Sequence, residues 1–98
     1  VDHTVVAKIT KAGEASLDIF NRSIKAIYAN SIPEANAIIE AADDLLPEYH
    51  TLSAMTQKMK VKEAVAMTTI ANSMHRISEY SSDIAEILIN QMVGTDGT

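Results

Sequence analysis

The chain has 98 residues, of which 47% are hydrophobic, with three Gly, two Pro and a formal net charge of −5. This length suits one small domain covering residues 1–98, and apolar positions filled by Ala, Ile, Leu and Met favour helices packed on helices. The absence of Cys excludes disulfides, thiolate metal sites and Cys nucleophiles, and the acidic balance argues against direct binding to nucleic acid.

No signal peptide opens the sequence and no apolar run is long enough to span a membrane, so we expect a cytoplasmic protein. The chain begins with Val1 instead of Met, which suggests that it is part of a longer protein.

The first helix is predicted over about residues 4–30, where apolar and small residues recur every three or four positions. Two of these residues, Gly13 and Ser16, are small enough to let a neighbouring helix approach closely. The predicted buried stripe consists of Val6, Ile9, Gly13, Ser16, Phe20, Ser23 and Ile27, with Leu17 and Ile24 widening it.

The second helix is predicted over about residues 32–58. Ser31 and Glu34 have the spacing of a capping box, and Pro33 falls in the first turn, where its missing N–H costs nothing. Pro47 would clash with the carbonyl four residues before it, so we expect this helix to be kinked near Pro47. Its predicted stripe is Ala35, Ile38, Ala42, Leu45, Tyr49, Leu52, Thr56 and Met59.

The third helix is predicted over about residues 62–93, followed by a C-cap and tail at residues 94–98. Its predicted buried stripe is Met67, Ile70, Met74, Ile77, Ser81, Ile84 and Leu88, and its polar side carries Asn72, His75, Glu79, Asp83, Glu86 and Asn90. Three amphipathic helices joined by short turns predict an all-α fold, an antiparallel three-helix bundle with the up-down-up order of a spectrin-like repeat.

The segment H-R-I-S-E-Y-S-S-D-I-A-E, residues 75–86, resembles the signature E-R-I-G-D-x-x-x-N-I-x-E of the PhoU family of phosphate-uptake regulators. Four residues match the signature directly: Arg76, Ile77, Ile84 and Glu86. Four others replace its members: His75 for the first Glu, Ser78 for Gly, Glu79 for Asp and Asp83 for Asn.

Residues 34–46 resemble the second helix of the same family, with Ala35, Ile38, Ile39 and Glu40 in matching positions. The two carboxylates of the family pattern fall on Ala42 and Leu46, which are apolar in this chain. The resemblance implies a PhoU-like bundle in which one half of the metal motif is changed and the other is lost.

In that family the Glu and the Asp four residues later bind metal, which implies a changed motif at His75 and Glu79. Together with Asp83, these residues lie at steps of four along one helical ridge. One imidazole and two carboxylates suit Zn, Fe or Mn as a divalent cofactor better than Ca. We therefore predict a metal site at His75, Glu79 and Asp83, weak because of the apolar residues in the second helix.

The resemblance implies a non-enzymatic regulator that acts on phosphate uptake through contacts with a transporter or a sensor kinase. Related domains stand beside transporters or DNA-binding domains, so transport and transcription regulation both fit. The family pairs two bundles, so we expect a homodimer or packing on a second bundle. The alternative is a structural or dimerisation bundle without metal binding.

Enzymatic classes find little support in the sequence. A di-iron oxidase of the ferritin type needs E-x-x-H pairs directed into a four-helix core, and the sequence contains none. No Ser lies in a G-x-S-x-G elbow. We therefore expect no catalytic site.

Overall fold

The computed structural model describes residues 3–94. Its helices are α1 (His3–Ala29), α2 (Ile32–Asp44), α3 (Leu46–Met55) and α4 (Val61–Gly94), with a short 3-10 helix at Thr56–Lys58. The predicted tail after Gly94 lies outside the described residues. No helix within residues 3–94 is long and apolar enough to cross a membrane.

The helices form three rods aligned along one axis. α1 and α4 run in the same direction and pack side by side, while α2, α3 and the 3-10 helix form a returning rod of opposite direction that packs against both. The molecule measures 54 × 20 × 17 Å, as expected for helices aligned along one axis. The predicted all-α three-helix bundle is confirmed.

The turn from α1 to α2 is closed by the backbone. Asn30 adopts a left-handed conformation with a φ of 51°, which Asn tolerates better than most residues. The N–H of Asn30 donates to the Ile27 carbonyl and that of Ser31 to the Ala26 carbonyl, both at 3.3 Å. These two bonds form a Schellman motif, which satisfies carbonyls at the end of α1.

Only half of the predicted capping box forms at the start of α2. The Glu34 N–H donates to the Ser31 Oγ at 3.2 Å, so Ser31 is the N-cap as predicted. The Glu34 carboxylate instead accepts a bond of 2.8 Å from the Arg22 Nε on α1. In a full capping box Glu34 would accept from the Ser31 N–H, but this N–H donates to the Ala26 carbonyl of α1. The Glu34 carboxylate is therefore available for the ion pair with Arg22.

The returning rod is interrupted at Leu45, between α2 and α3. Pro47 lies in the first turn of α3, where a missing N–H breaks no helical bond. The Leu45 N–H donates to the Ala42 carbonyl, and the Leu45 carbonyl accepts from the Tyr49 N–H, both at 3.2 Å. The chain therefore restarts its helix around the proline without leaving these groups unpaired.

The core row of α1 differs from the predicted stripe. Val6, Phe20 and Ile27 are exposed, and the buried row lies to one side of them. The buried residues of α1 are Val5, Ala12, Ser16, Ile19, Ser23 and Ala26. Most of these are small, so α1 approaches its neighbours closely while its larger apolar side chains stay outside.

The same shift occurs in α4. Ile70 is exposed, and Ile77 and Ile84 are only half-buried, whereas the predicted Met74, Ser81 and Leu88 are buried. The buried row of this helix is Ala71, Met74, Ser78, Ser81, Ala85 and Leu88. In the returning rod, Ala35, Ile38, Ala42, Tyr49 and Leu52 are buried as predicted, and Met59 lies in the extended turn before α4.

Gly13 lies against the side chain of Met74 on α4. A Cβ at this position would lie 3.3 Å from the Met74 Sδ, tighter than an ordinary van der Waals contact. The missing side chain of Gly13 therefore leaves room for Met74 of α4, as the small size of Gly13 predicted.

A buried hydroxyl cluster joins all three rods at the level of Tyr49. The Tyr49 hydroxyl lies 2.6 Å from the Ser16 Oγ of α1, and either group can donate. It also lies within donating distance of the Ser78 Oγ of α4, at 3.1 Å, and of the Met74 carbonyl, at 3.4 Å. One phenol thus connects α3 to both long helices.

The serines of this cluster also bond to their own helices. The Ser16 Oγ donates to the Ala12 carbonyl at 2.8 Å, and the Ser78 Oγ donates to the His75 carbonyl at 2.9 Å. Ser23 and Ser81 donate to the carbonyls of Phe20 and Ile77 in the same way. Within the described residues, no buried side-chain nitrogen or oxygen lacks a partner, so the polar core is satisfied.

We predict that Tyr49→Phe lowers the free energy of unfolding by about 1 kcal/mol, because it removes the bonds between rods while each serine keeps its own backbone partner. Urea denaturation followed by circular dichroism measures the change. The control is Tyr28→Phe, since Tyr28 is 85% exposed. Equal stability of the two variants would contradict the role assigned to the Tyr49 hydroxyl.

The small core row of α4 gives a second prediction. Ala85 is fully buried, and Ala85→Leu adds three carbons where the helices are closely packed, so it should destabilise the fold by about 1–3 kcal/mol. Ala7→Leu is the control, because Ala7 is exposed on α1. Thermal melts of both variants test the assignment, which is wrong if Ala85→Leu unfolds at the temperature of the control.

Candidate functional site

A surface groove lies between the returning rod and α4, at the level of the break between α2 and α3. It has a volume of about 280 Å³ and is open to solvent along one side. All three predicted metal ligands line it. The complete lining is Ala42, Asp43, Leu46, His75, Ser78, Glu79, Ser82 and Asp83. We call this surface the acidic groove.

His75 lines the acidic groove and contacts both Tyr49 and Glu79. Its ring packs against the ring of Tyr49, with centroids 5.1 Å apart and an interplanar angle of 31°. Its Nε2 lies 3.4 Å from a carboxylate oxygen of Glu79, one turn further along α4. The imidazole is therefore half-buried, and it is positioned by the aromatic ring that anchors α3 to the core.

Asp83 is the most outward of the three predicted ligands. A helix advances by about 100° per residue, so each step of four turns the side chain about 40° further round the axis. Two steps separate Asp83 from His75, which directs the two side chains about 80° apart. The residues thus share a groove without pointing to one centre.

The donor set does not fit a multi-carboxylate metal centre. Ala42 and Leu46, which occupy the carboxylate positions of the resembled pattern, line the groove opposite His75 and offer only carbon. Among residues 3–94, no three His, Asp or Glu side chains are grouped closely enough to hold a metal ion. His75 and Glu79 form the nearest pair, and weak binding at His75, Glu79 and Asp83 stays a prediction.

Two polar residues of the acidic groove were missed by the sequence analysis. Asp43 contributes a carboxylate from the end of α2, next to Ala42 in the chain, and Ser82 contributes a hydroxyl from α4. A search for carboxylates flanking the proline break would have found Asp43. With Glu79 and Asp83 it makes the groove a concentration of negative charge.

Calorimetric titration with Zn, Mn or Fe(II) tests the metal prediction. We expect weak binding that disappears in Glu79→Ala, because the pair with His75 supplies the nearest two donors. Glu40→Ala is the control, since Glu40 is an exposed carboxylate of α2 outside the groove. Tight binding that survives Glu79→Ala would place the metal elsewhere.

The comparisons with known proteins agree with the motif on α4. A sequence model of the PhoU domain matches residues 9–88, which include most of all three rods and the whole acidic groove. No curated protein and no solved structure shows significant similarity to the chain. The match covers well over half of the sequence, so the resemblance is confirmed, and the chain belongs to the PhoU domain family.

Proposed function

We propose that this domain regulates phosphate uptake, without catalysis, by binding a transporter or a sensor kinase on the cytoplasmic side of the membrane. The match of the PhoU domain to residues 9–88 carries this proposal, because PhoU domains are of the phosphate-transport regulator type. Regulation by such a domain requires a surface that a partner can recognise.

The acidic groove is the surface best suited to that partner. It is concave, it lies over the break between two helices, and three carboxylates line it, from Asp43, Glu79 and Asp83. Opposite charges favour encounter and fix orientation in protein complexes. The proposed partner segment therefore carries Lys or Arg side chains that enter the groove.

The second candidate is a structural or dimerisation bundle. The observation in its favour is the carbon lining supplied by Ala42 and Leu46, since a groove without the family carboxylates has lost the residues of a metal-dependent role. In that case the groove would bind no regulatory partner, and the domain would serve to hold chains together.

Charge reversal in the acidic groove separates the two functions. In cells that lack the gene, phosphate uptake should be misregulated, and the intact protein should restore normal uptake. The Glu79→Arg and Asp83→Arg double variant should fail to restore it, because it reverses the charge that the partner segment recognises. Both side chains are exposed, so the variant should still fold. Uptake of radiolabelled phosphate is the measurement.

The matched control reverses two exposed carboxylates away from the groove, Glu14→Arg and Asp18→Arg, and should restore uptake fully. Normal regulation in cells without the gene would contradict the proposed function. If the Glu79 and Asp83 variant fully restores phosphate uptake, the acidic groove is not needed for regulation. That result would favour the structural bundle.

A further inference from the structure

The lysines of this chain are concentrated at one end of the bundle. α1 and α4 run in the same direction, so both begin at this end, where the 3-10 helix also lies. Residues 3–13 and 56–67 contain a single carboxylate, Glu63, and five lysines, Lys8, Lys11, Lys58, Lys60 and Lys62. We call residues 58–65, together with Lys8 and Lys11, the lysine tip.

The rest of the described chain has the opposite charge. Residues 14–55 and 68–94 carry ten carboxylates against three basic side chains, Arg22, Lys25 and Arg76. The formal net charge of −5 therefore belongs to a molecule with a positive end and a negative body. A charge distribution of this kind turns the lysine tip toward any anionic surface that the molecule approaches.

The lysines of the tip are available to a partner. All five are exposed, and within residues 3–94 none of them forms an ion pair with a carboxylate. Two of them also lie where they do not help the fold. The Lys60 carbonyl accepts from the Ala64 N–H at 2.8 Å, so Lys60 occupies the N-cap position of α4, and Lys62 lies in the first turn. Helix N-termini favour side-chain oxygens and negative charge, so helix stability does not account for these two lysines.

Apolar side chains are exposed among these lysines. Val61 stands between Lys60 and Lys62 in the chain and is 81% exposed, and Val65, one turn further along α4, is 62% exposed. A bilayer interface offers partners for both kinds of side chain. Valines can enter the boundary of the acyl chains, while lysine ammonium groups remain beside the phosphates of the head groups.

We propose that the lysine tip docks this domain, end-on, to a membrane surface that contains anionic phospholipid. The positive charge complements the head groups, and the exposed valines supply the second, apolar signal that stable attachment to a bilayer requires. A nucleic acid fits the tip less well. Residues 58–65 contain no aromatic side chain on which a base could stack, and the valines would find no apolar surface along a phosphate backbone.

End-on docking keeps the acidic body of the molecule away from the lipid. Glu79, in the acidic groove, is 18 residues beyond Val61 on α4, which is about 27 Å at 1.5 Å per residue. This distance is about three times the Debye length of roughly 8 Å at physiological ionic strength, so the groove is only weakly repelled by the membrane. The groove also stays open to a protein partner, although the docking itself does not depend on the proposed function.

Co-sedimentation of the 98-residue chain with lipid vesicles tests the docking. We expect the chain to bind vesicles of equal parts phosphatidylglycerol and phosphatidylcholine at low salt, and to dissociate from them as the salt concentration rises. It should not bind vesicles of phosphatidylcholine alone. A chain that does not bind the mixed vesicles overturns the proposal and leaves the tip to an acidic protein or a nucleic acid. Equal binding to both kinds of vesicle also overturns it.

Paired charge variants locate the binding surface. The Lys60→Gln and Lys62→Gln double variant should bind the mixed vesicles about 25-fold more weakly, because each lysine near an anionic surface raises binding roughly fivefold. The matched control is Lys25→Gln with Arg76→Gln, which removes the same charge from exposed positions of the body and should lower binding much less. Thermal melts check that both variants fold. Equal losses in the two double variants would contradict docking through the tip.

The end-on orientation has a separate readout. The sequence contains no Trp, so Val61→Trp introduces a single fluorescent reporter at the tip. Its emission should shift to the blue on the mixed vesicles, because the indole leaves water for the bilayer interface. Val93→Trp is the matched control, since Val93 is 63% exposed near the opposite end of α4, and its emission should stay unchanged. The absence of a shift at residue 61, or equal shifts at both residues, would overturn the end-on arrangement.

Discussion

The hydroxyl of Tyr49 sets the level of α3 against the two long helices, because it lies among the three rods and within hydrogen-bonding distance of Ser16 on α1 and Ser78 on α4. A buried phenol without partners would cost several times the net gain of one hydrogen bond, so its two serines must lie at its own level. This requirement fixes the axial position of α3 relative to α1 and α4. The break at Leu45, which comes from Pro47, leaves Tyr49 on the buried side of the returning rod.

A core built around serine and alanine has a second consequence. Ala12, Ser16, Ala71, Ser78 and Ala85 bring the helix axes close together, and close axes leave little room for larger side chains between them. The leucine, phenylalanine and isoleucine residues of α1 and α4 are therefore placed beside the core. The same packing that makes a narrow bundle leaves an apolar surface on α1 and α4, on a different side from the acidic groove. The domain thus has two surfaces of different chemistry, one apolar and uncharged, the other concave and negative.

Local backbone chemistry was predictable from the sequence, and packing was less so. Ser31 and Pro47 act through their own backbone neighbours, so the N-cap and the helix break follow from the residues alone. The core rows of α1 and α4 were misplaced because apolar residues cover two adjacent rows, and periodicity gives one wide stripe whose centre lies between them. The partners of Tyr49 depend on the axial register of separate helices. In the groove, the family resemblance pointed to His75 and Glu79, whereas Asp43 lies beside Ala42 and outside the family pattern.

The central feature of the bundle is that small residues fill the core while large apolar residues of α1 and α4 remain outside it. Hydroxyl-radical footprinting in dilute solution tests this feature directly, because the reactivity of an aromatic ring follows its contact with water. We predict that Tyr49 is protected and that Phe20 and Tyr80 react. Protection of Phe20 would contradict this description of the core by placing Phe20 inside the bundle.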